Sequence, residues 1–285
     1  MVIDLLAGPF MEFAFMRRAL VAVVALALGA APLGALLTLR RLSLVGDALS
    51  HAVLPGVALG FMFFGLSLTA LSIGGVLAGM LVVLAAALVS RHTRLAEDAS
   101  LAALYLVALA LGVMLISLHG SQIDLLHILF GNVLGVDRDG LLLVAGVASA
   151  TLLLLALMYR GLLIESFDPA FLAAGQGGRA WFQQLFLMLV VVNLVAAFQT
   201  LGTLMAVGLM MLPAISARLW HDTLAAQLLH SAGCAMLAGL AGLLLSYYAA
   251  LPSGPSIIVC AGLLYGGSLL LSPRGVLATL RRART

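Results

Sequence analysis

The chain has 285 residues, of which 64% are hydrophobic and only 9% are charged, and its formal net charge is +3. Because a soluble domain of this length carries far more charge, the composition excludes a soluble enzyme and predicts one membrane domain over residues 1–285. All 14 basic residues are arginine, so the chain lacks the lysine of a phosphate-binding GxxxxGK[ST] loop and cannot hold a standard nucleotide motor.

Nine apolar runs, separated by charge and turn signals, approach the length of about 20 residues with which a helix crosses a membrane. We therefore predict an all-α, polytopic membrane protein with about eight or nine transmembrane helices. The first run decides between these numbers, because Arg17 and Arg18 followed by ALVAVVALALGAA look like the start of a secretory signal. The preceding segment, with Asp4 and Glu12, is unlike a basic leader. The runs lie at 13–39, 43–64, 69–90, 99–118, 140–159, 181–199, 202–219, 223–247 and 256–272.

The arginines predict the orientation of the chain, because loops on the cytoplasmic side of a membrane carry the excess of positive charge. With nine spans the two ends lie on opposite faces. A cytoplasmic C-terminus places eleven arginines inside and three outside, the three being Arg17, Arg18 and Arg138. We therefore expect the C-terminus to be cytoplasmic.

The second run contains two ionisable residues four positions apart, Asp47 and His51, within RRLSLVGDALSHAVLPGVALGF. On a helix both project from one face, and Ser43 and Ser50 are expected on the same stripe. Counted from Arg41, Asp47 lies about 9 Å and His51 about 15 Å into a hydrocarbon core about 30 Å thick. An ionisable group at that depth costs at least about 2.5 kcal/mol, so the pair predicts a functional site facing protein or water.

A carboxylate oxygen and an imidazole nitrogen together suit Mn(II), Zn(II) or Fe(II). Two ligands are too few for selective capture, but a homodimer around a central pathway brings two Asp47 and two His51 together. The sequence therefore predicts a homodimer that holds a transported ion, with no permanently bound cofactor. The alternative is structural, with Asp47 capping a helix that begins at Gly46 and His51 bonded to a neighbouring carbonyl.

Four further residues that could bear chemistry stand singly in the runs. Asn193 in the sixth run and His230 in the eighth are expected to hydrogen-bond between helices. Cys234 and Cys260 lack the spacing of a disulfide framework or a thiolate metal site, so we interpret both as packing residues.

The outer segment HGSQIDLLHILFGN contains three further candidate ligands, His119, Asp124 and His127. They could form a loose site for an arriving cation. The alternative is a solvated loop without a ligand.

The fifth and sixth runs are separated by a polar segment, GLLIESFDPAFLAAGQGGRA, at about 160–180. It predicts a short helix in which Asp168 is the N-cap, Pro169 takes the first helical position and Gly175 ends the helix. So short a helix forms only against a surface. That surface is either the inner face of this protein or a docked ATPase subunit.

The stretch RRLSLVGDALSHAVLPGVALG resembles the second-helix signature of the permease subunits of bacterial manganese, zinc and iron ABC importers. Three more stretches, DLLHILFGNVLGV, GTLMAVGLMMLPAISARL and PSGPSIIV, agree with that family. His127 departs from the family pattern, which has an aromatic residue there. GDALSH followed by AVLPG looks closer to the manganese or iron branch than to the zinc branch.

The resemblance implies an all-helical fold similar to the vitamin B12 importer permease, in a homodimer in the bacterial cytoplasmic (inner) membrane. It implies that Asp47 and His51 bind the transported metal. It also implies two cytoplasmic ATPase subunits that dock at Asp168, Pro169 and Gly175, and an extracytoplasmic solute-binding protein. The chain is then a transport subunit and not an enzyme, and nucleic acid is not a partner.

Three other functions fit parts of the same pattern. A proton-coupled secondary carrier would use Asp47 as its protonatable group and need no ATPase. An ABC permease for a siderophore or vitamin would require a wide cavity instead of two ligating side chains. An intramembrane metalloprotease would use the same aspartate and histidine, but the sequence has no HExxH motif.

Overall fold

The computed structural model describes residues 2–65, 67–118, 133–167 and 178–277. Within these ranges the chain forms eleven α-helices, one turn of 3-10 helix at Val133–Gly135, and no strand. The helices are α1 (Val2–Glu12), α2 (Ala14–Leu39), α3 (Val45–Ala52), α4 (Leu54–Phe64), α5 (Leu68–His92), α6 (Glu97–Leu118), α7 (Arg138–Phe167), α8 (Gly178–Leu201), α9 (Thr203–Trp220), α10 (Leu224–Ala249) and α11 (Ser253–Leu271).

Nine segments of the described chain are long and apolar enough to cross a membrane. Helices α3 and α4 together make one of them, Val45–Phe64, and α1 is not among them. The nine segments coincide with the predicted runs to within a few residues at most ends. The prediction of an all-α, polytopic membrane protein is therefore confirmed.

Helix α2 lies at the centre of the bundle, where it packs against α7, α9 and α10. Its residues 29–38 are all buried, and Leu33 and Leu37 are among the largest fully buried side chains of the described residues. The first predicted run is therefore part of the central packing of the described chain.

The helices approach most closely where glycine removes the side chain. A β-carbon on Gly34 of α2 would overlap the backbone carbonyl of Met210 in α9, and one on Gly56 of α4 would overlap the carbonyl of Gly74 in α5. Contacts between small residues allow apolar helices to associate in lipid, where the hydrophobic effect gives no driving force. They fix α2 against α9 and α4 against α5.

A tight turn joins α2 to α3 and sets where α3 begins. The N–H of Leu42 donates to the carbonyl of Leu37 at 2.9 Å, and the N–H of Arg41 donates to Thr38 at 3.2 Å. This is the hydrogen-bond pattern of a Schellman C-cap. Arg41 takes the left-handed conformation at the cap, with φ 61°, and α3 follows four residues later at Val45.

Candidate metal site

Helix α3 places Asp47 and His51 one turn apart on one face. Asp47 Oδ1 and His51 Nε2 are 3.9 Å apart, and the side chains are 64% and 31% exposed respectively. The opposite face is anchored in the core by Val45, Leu49 and Ala52, which are buried. The pair expected from the sequence is therefore formed, and it faces away from the core of its own chain.

The distance between the two side chains suits an ion that bridges them. Oxygen and nitrogen ligands lie about 2.0–2.2 Å from a zinc ion, so two of them on a tetrahedral centre are about 3.4 Å apart. At 3.9 Å, Asp47 and His51 are too far apart to hydrogen-bond to each other. A small rotation of either side chain brings both into range of one ion.

The two serines expected on the same stripe add no ligand. Ser50 is buried, and its hydroxyl donates to the carbonyl oxygen of Asp47 at 2.7 Å. Ser43 precedes α3, which begins at Val45. Among the residues that the structure describes, no group of three or more His, Cys, Asp or Glu is placed to hold a metal. At this site the described part of one chain therefore offers two ligands, Asp47 and His51.

The helix breaks directly after the pair. Pro55 lies in the first turn of α4, and because proline has no N–H it cannot donate the helical hydrogen bond to the carbonyl of His51, four residues earlier. That carbonyl accepts from the N–H of Val53 instead. The span therefore consists of two helices, and His51 is in the last turn of the first.

An apolar groove of about 860 Å³ lies between α4, α5 and α6. Leu59, Phe63 and Leu77 are among the side chains that line it, and neither Asp47 nor His51 does so. Its wall offers apolar side chains and no ionisable group. The candidate metal site is therefore separate from this groove.

Asn193 has the structural role predicted for it. Its Nδ2 donates to Thr151 Oγ1 at 2.6 Å and to the carbonyl of Leu189 at 2.9 Å, so it links α8 to α7 within the core. Cys234 and Cys260 are free thiols on α10 and α11. None of these residues joins Asp47 and His51.

His230 does not stand alone, contrary to the expectation from the sequence. The Nε2 atom of His221, at the C-terminal end of α9, lies 3.1 Å from its Nδ1 atom. Sequence reasoning missed the pair because the two residues are nine positions apart across a helix end. The available signal was that both histidines lie close to the short connection between the seventh and eighth spans.

Two predicted sites lie outside the described residues. One is the outer segment with His119, Asp124 and His127, and the other is the coupling segment with Asp168, Pro169 and Gly175.

Comparison with known proteins identifies the family. The model of the ABC 3 transport family matches residues 12–272. The manganese transport system membrane protein MntC of Halalkalibacterium halodurans is 34% identical over 276 residues, which cover 96% of this chain and 93% of the relative. The manganese import system permease protein ScaB of Streptococcus parasanguinis is 34% identical over 264 residues, covering 92% of each chain.

Two similar solved structures share the fold. PsaBC from Streptococcus pneumoniae, solved in complex with a Fab, is 32% identical with a TM-score of 0.83, covering 99% of this chain and 100% of that chain. A second structure, described as a metal-chelate type ABC transporter in an inward-facing conformation, is 18% identical with a TM-score of 0.71, over 92% of this chain and 87% of that chain. The predicted likeness to an ABC importer permease is confirmed. The chain belongs to the ABC 3 transport family.

Proposed function

We propose that this chain is the membrane permease of a manganese importer in the bacterial cytoplasmic membrane, and that two copies enclose the translocation pathway. The observation that carries the proposal is the exposed Asp47–His51 pair on an otherwise apolar span. It occurs in a chain 34% identical, over nearly its whole length, to relatives named for manganese transport.

The exposure of the pair supports a homodimer. An aspartate in a membrane helix costs up to about 2.5–3.5 kcal/mol to insert, the full cost applying at the helix centre, and the Asp47 side chain is 64% exposed in a single chain. Covering this face with a second copy about a two-fold axis removes both residues from lipid. The same arrangement brings two carboxylates and two imidazoles together, which is the ligand number that selective capture needs.

The ligand chemistry suits Mn(II) as cargo. Carboxylate ligands suit manganese, while imidazole also admits zinc and iron. At a site of given ligands Mn(II) binds more weakly than Fe(II) or Zn(II), following the Irving–Williams order. Modest affinity is useful in a pathway, because the ion must leave again. We take Mn(II) over Zn(II) and Fe(II) because the similar relatives are named for manganese.

In this proposal separate cytoplasmic subunits hydrolyse ATP. The chain has no lysine for a phosphate-binding loop, so any ATP hydrolysis that drives transport must take place on a partner. The contact is assigned to the segment at about 160–180, with Asp168, Pro169 and Gly175, whose first residues form the C-terminal end of α7, where Arg160 lies. The excess of arginine supports a cytoplasmic position for this face and for the C-terminus. In the proposal an extracytoplasmic binding protein delivers the ion at the opposite face.

The proposal is tested by manganese uptake into vesicles that contain the chain, its ATPase and its binding protein. We expect ATP-dependent uptake that falls about 100-fold in Asp47→Asn and in His51→Gln, since each removes a ligand. His92→Gln is the matched control, because the Nδ1 atom of His92 bonds the carbonyl of Leu88 in its own helix. Uptake by the lone chain down a proton gradient would establish a secondary carrier instead. Competition by zinc or iron identifies the preferred ion.

A further inference from the structure

We propose that His221 and His230 form a second metal site, for divalent ions of the zinc, nickel and copper class. The pair lies where α9 ends and α10 begins. It is separate from Asp47 and His51, which lie on α3. Three observations support the site: the distance between the ring nitrogens, the contacts that hold the two residues, and the charges around them.

The distance between the ring nitrogens fits shared coordination. Two imidazole nitrogens bound at about 2.0–2.1 Å to one ion are about 2.9 Å apart at a right angle and about 3.4 Å apart at a tetrahedral angle. His221 Nε2 and His230 Nδ1 are 3.1 Å apart, and their ring planes are inclined by 66°. A divalent ion can therefore replace the single proton that the pair shares, once the rings turn so that both nitrogen lone pairs point at the ion and not at each other.

Neighbours hold the backbone of His221 and the ring of His230. The carbonyl of His221 accepts from Gln227 Nε2 at 2.9 Å and from Arg274 Nη1 at 3.3 Å, which fixes the backbone at the end of α9. The ring of His230 stacks on Trp220, with centroids 6.2 Å apart and planes within 24°. Ligands ordered before binding lose less conformational freedom when the ion arrives.

The charges around the pair permit a cation. Arg274 is ion-paired with Asp222, so the guanidinium charge beside the imidazoles is compensated. Asp222 is engaged in that pair, and we assign it no role as a ligand. His221 and His230 are both partly exposed, and Asp222 and Thr223 are exposed. Water can therefore reach the site and complete the coordination sphere.

The ligand set favours a different ion from the proposed cargo. Imidazole suits Zn(II), Ni(II) and Cu(II), whereas Mn(II) has the lowest affinity of the first-row series and prefers carboxylate and water. A bound ion would join the end of α9 to α10 at the face from which manganese leaves. The position of this ion at the face from which manganese leaves rests on the proposed function, but metal binding by His221 and His230 does not.

The site can be assigned by elimination because the chain has six histidines. Full-length protein carrying Asp47→Ala and His51→Ala, in nanodiscs, is titrated with Zn(II) alone by equilibrium dialysis. We expect this background protein to keep one zinc ion per chain. Adding His221→Gln or His230→Gln should weaken that binding about tenfold or more, since each removes one of two protein ligands. With Cu(II) as probe, the electron paramagnetic resonance spectrum should show two coupled imidazole nitrogens, which a purely structural pair would not give.

The other histidines supply the controls. His92→Gln, and His119→Gln together with His127→Gln, should leave zinc binding unchanged. The proposal is overturned by a background protein that binds no zinc, by loss only in the His119 and His127 variant, or by full binding in His221→Gln and His230→Gln. Size-exclusion profiles check that each variant is folded. Manganese uptake is measured separately, so a failure here is distinguishable from a failure of the proposed function.

Discussion

Gly46 of α3 lies against the Met210 side chain of α9, so that a β-carbon on Gly46 would be 2.6 Å from Met210 Cε. The residue directly before Asp47 is therefore in contact with α9 and has no room for a side chain. The backbone of Met210 also lies against Gly34 of α2. Met210 of α9 thus contacts both α2 and the helix that carries the metal pair.

Replacing Gly46 by valine should reduce manganese uptake at least tenfold. Its branched side chain must displace Met210, and overpacking of this kind costs about 1–3 kcal/mol and shifts the backbone. Gly46→Ala should be much milder, because the end of a methionine side chain can rotate and alanine favours a helix by about 1 kcal/mol over glycine. Uptake rate and thermal midpoint are measured on the same preparations.

Two other glycines serve as controls for this series. A β-carbon on Gly146 meets nothing within 4 Å, so Gly146→Val should transport normally. A β-carbon on Gly34 would overlap the backbone carbonyl of Met210, which cannot rotate away, so Gly34→Ala should yield little folded protein. Wild-type uptake by Gly46→Val would show that Met210 does not fix α3.

Pro55→Ala should repair the break between α3 and α4. Alanine restores the N–H that can donate to the carbonyl of His51, and proline inside a helix costs about 3 kcal/mol relative to alanine. We expect the thermal midpoint to stay the same or rise. Manganese uptake should fall severalfold, because a continuous helix would change the direction in which the His51 side chain points. Uptake and midpoint are compared with those of Pro32→Ala, the same change inside α2. Normal uptake by Pro55→Ala would mean that the break is not needed for transport.

The spans and the metal pair could be predicted because they depend on local properties. Hydropathy governs insertion of each segment, so the predicted run 13–39 and the observed helix Ala14–Leu39 nearly coincide. Asp47 and His51 share a face because their spacing is four, whichever way the helix is turned.

Contacts between helices could not be predicted in this way. Spacing predicts that Ser50 lies on the polar stripe, but it is about 100° around the helix from His51. In the packed bundle this side of α3 faces the core, and Ser50 is buried. The contact of His221 with His230 arises where one helix ends beside the next. Neither result follows from residue spacing alone.

The hydrogen bond between Asn193 and Thr151 should contribute to stability and not to transport. Such bonds between membrane helices contribute about 0.6 kcal/mol on average and up to about 1.7 kcal/mol. Asn193→Leu and Thr151→Val should lower the free energy of unfolding by amounts in this range, and the double variant should lose less than the sum. Unfolding equilibria in mixed micelles measure this, with uptake normalised to folded protein. Strict additivity, or lost uptake at full stability, would contradict a structural role.

The proposed dimer places the Asp47 residues of two copies on either side of one ion, which chemical cross-linking can test. Cys234 and Cys260 are replaced by serine to remove the native thiols, and Asp47→Cys is then treated in membranes with a short bis-methanethiosulfonate reagent. We expect a covalent dimer that reductant reverses, because the paired positions must lie within reach of a shared ion. Leu153→Cys, at a side chain of α7 that is 63% exposed, is the control and should stay monomeric. Cross-linking at 153 without cross-linking at 47 would show that the dimer axis lies at α7. Asp47 would then have no second pair of ligands, which would contradict the proposed dimer.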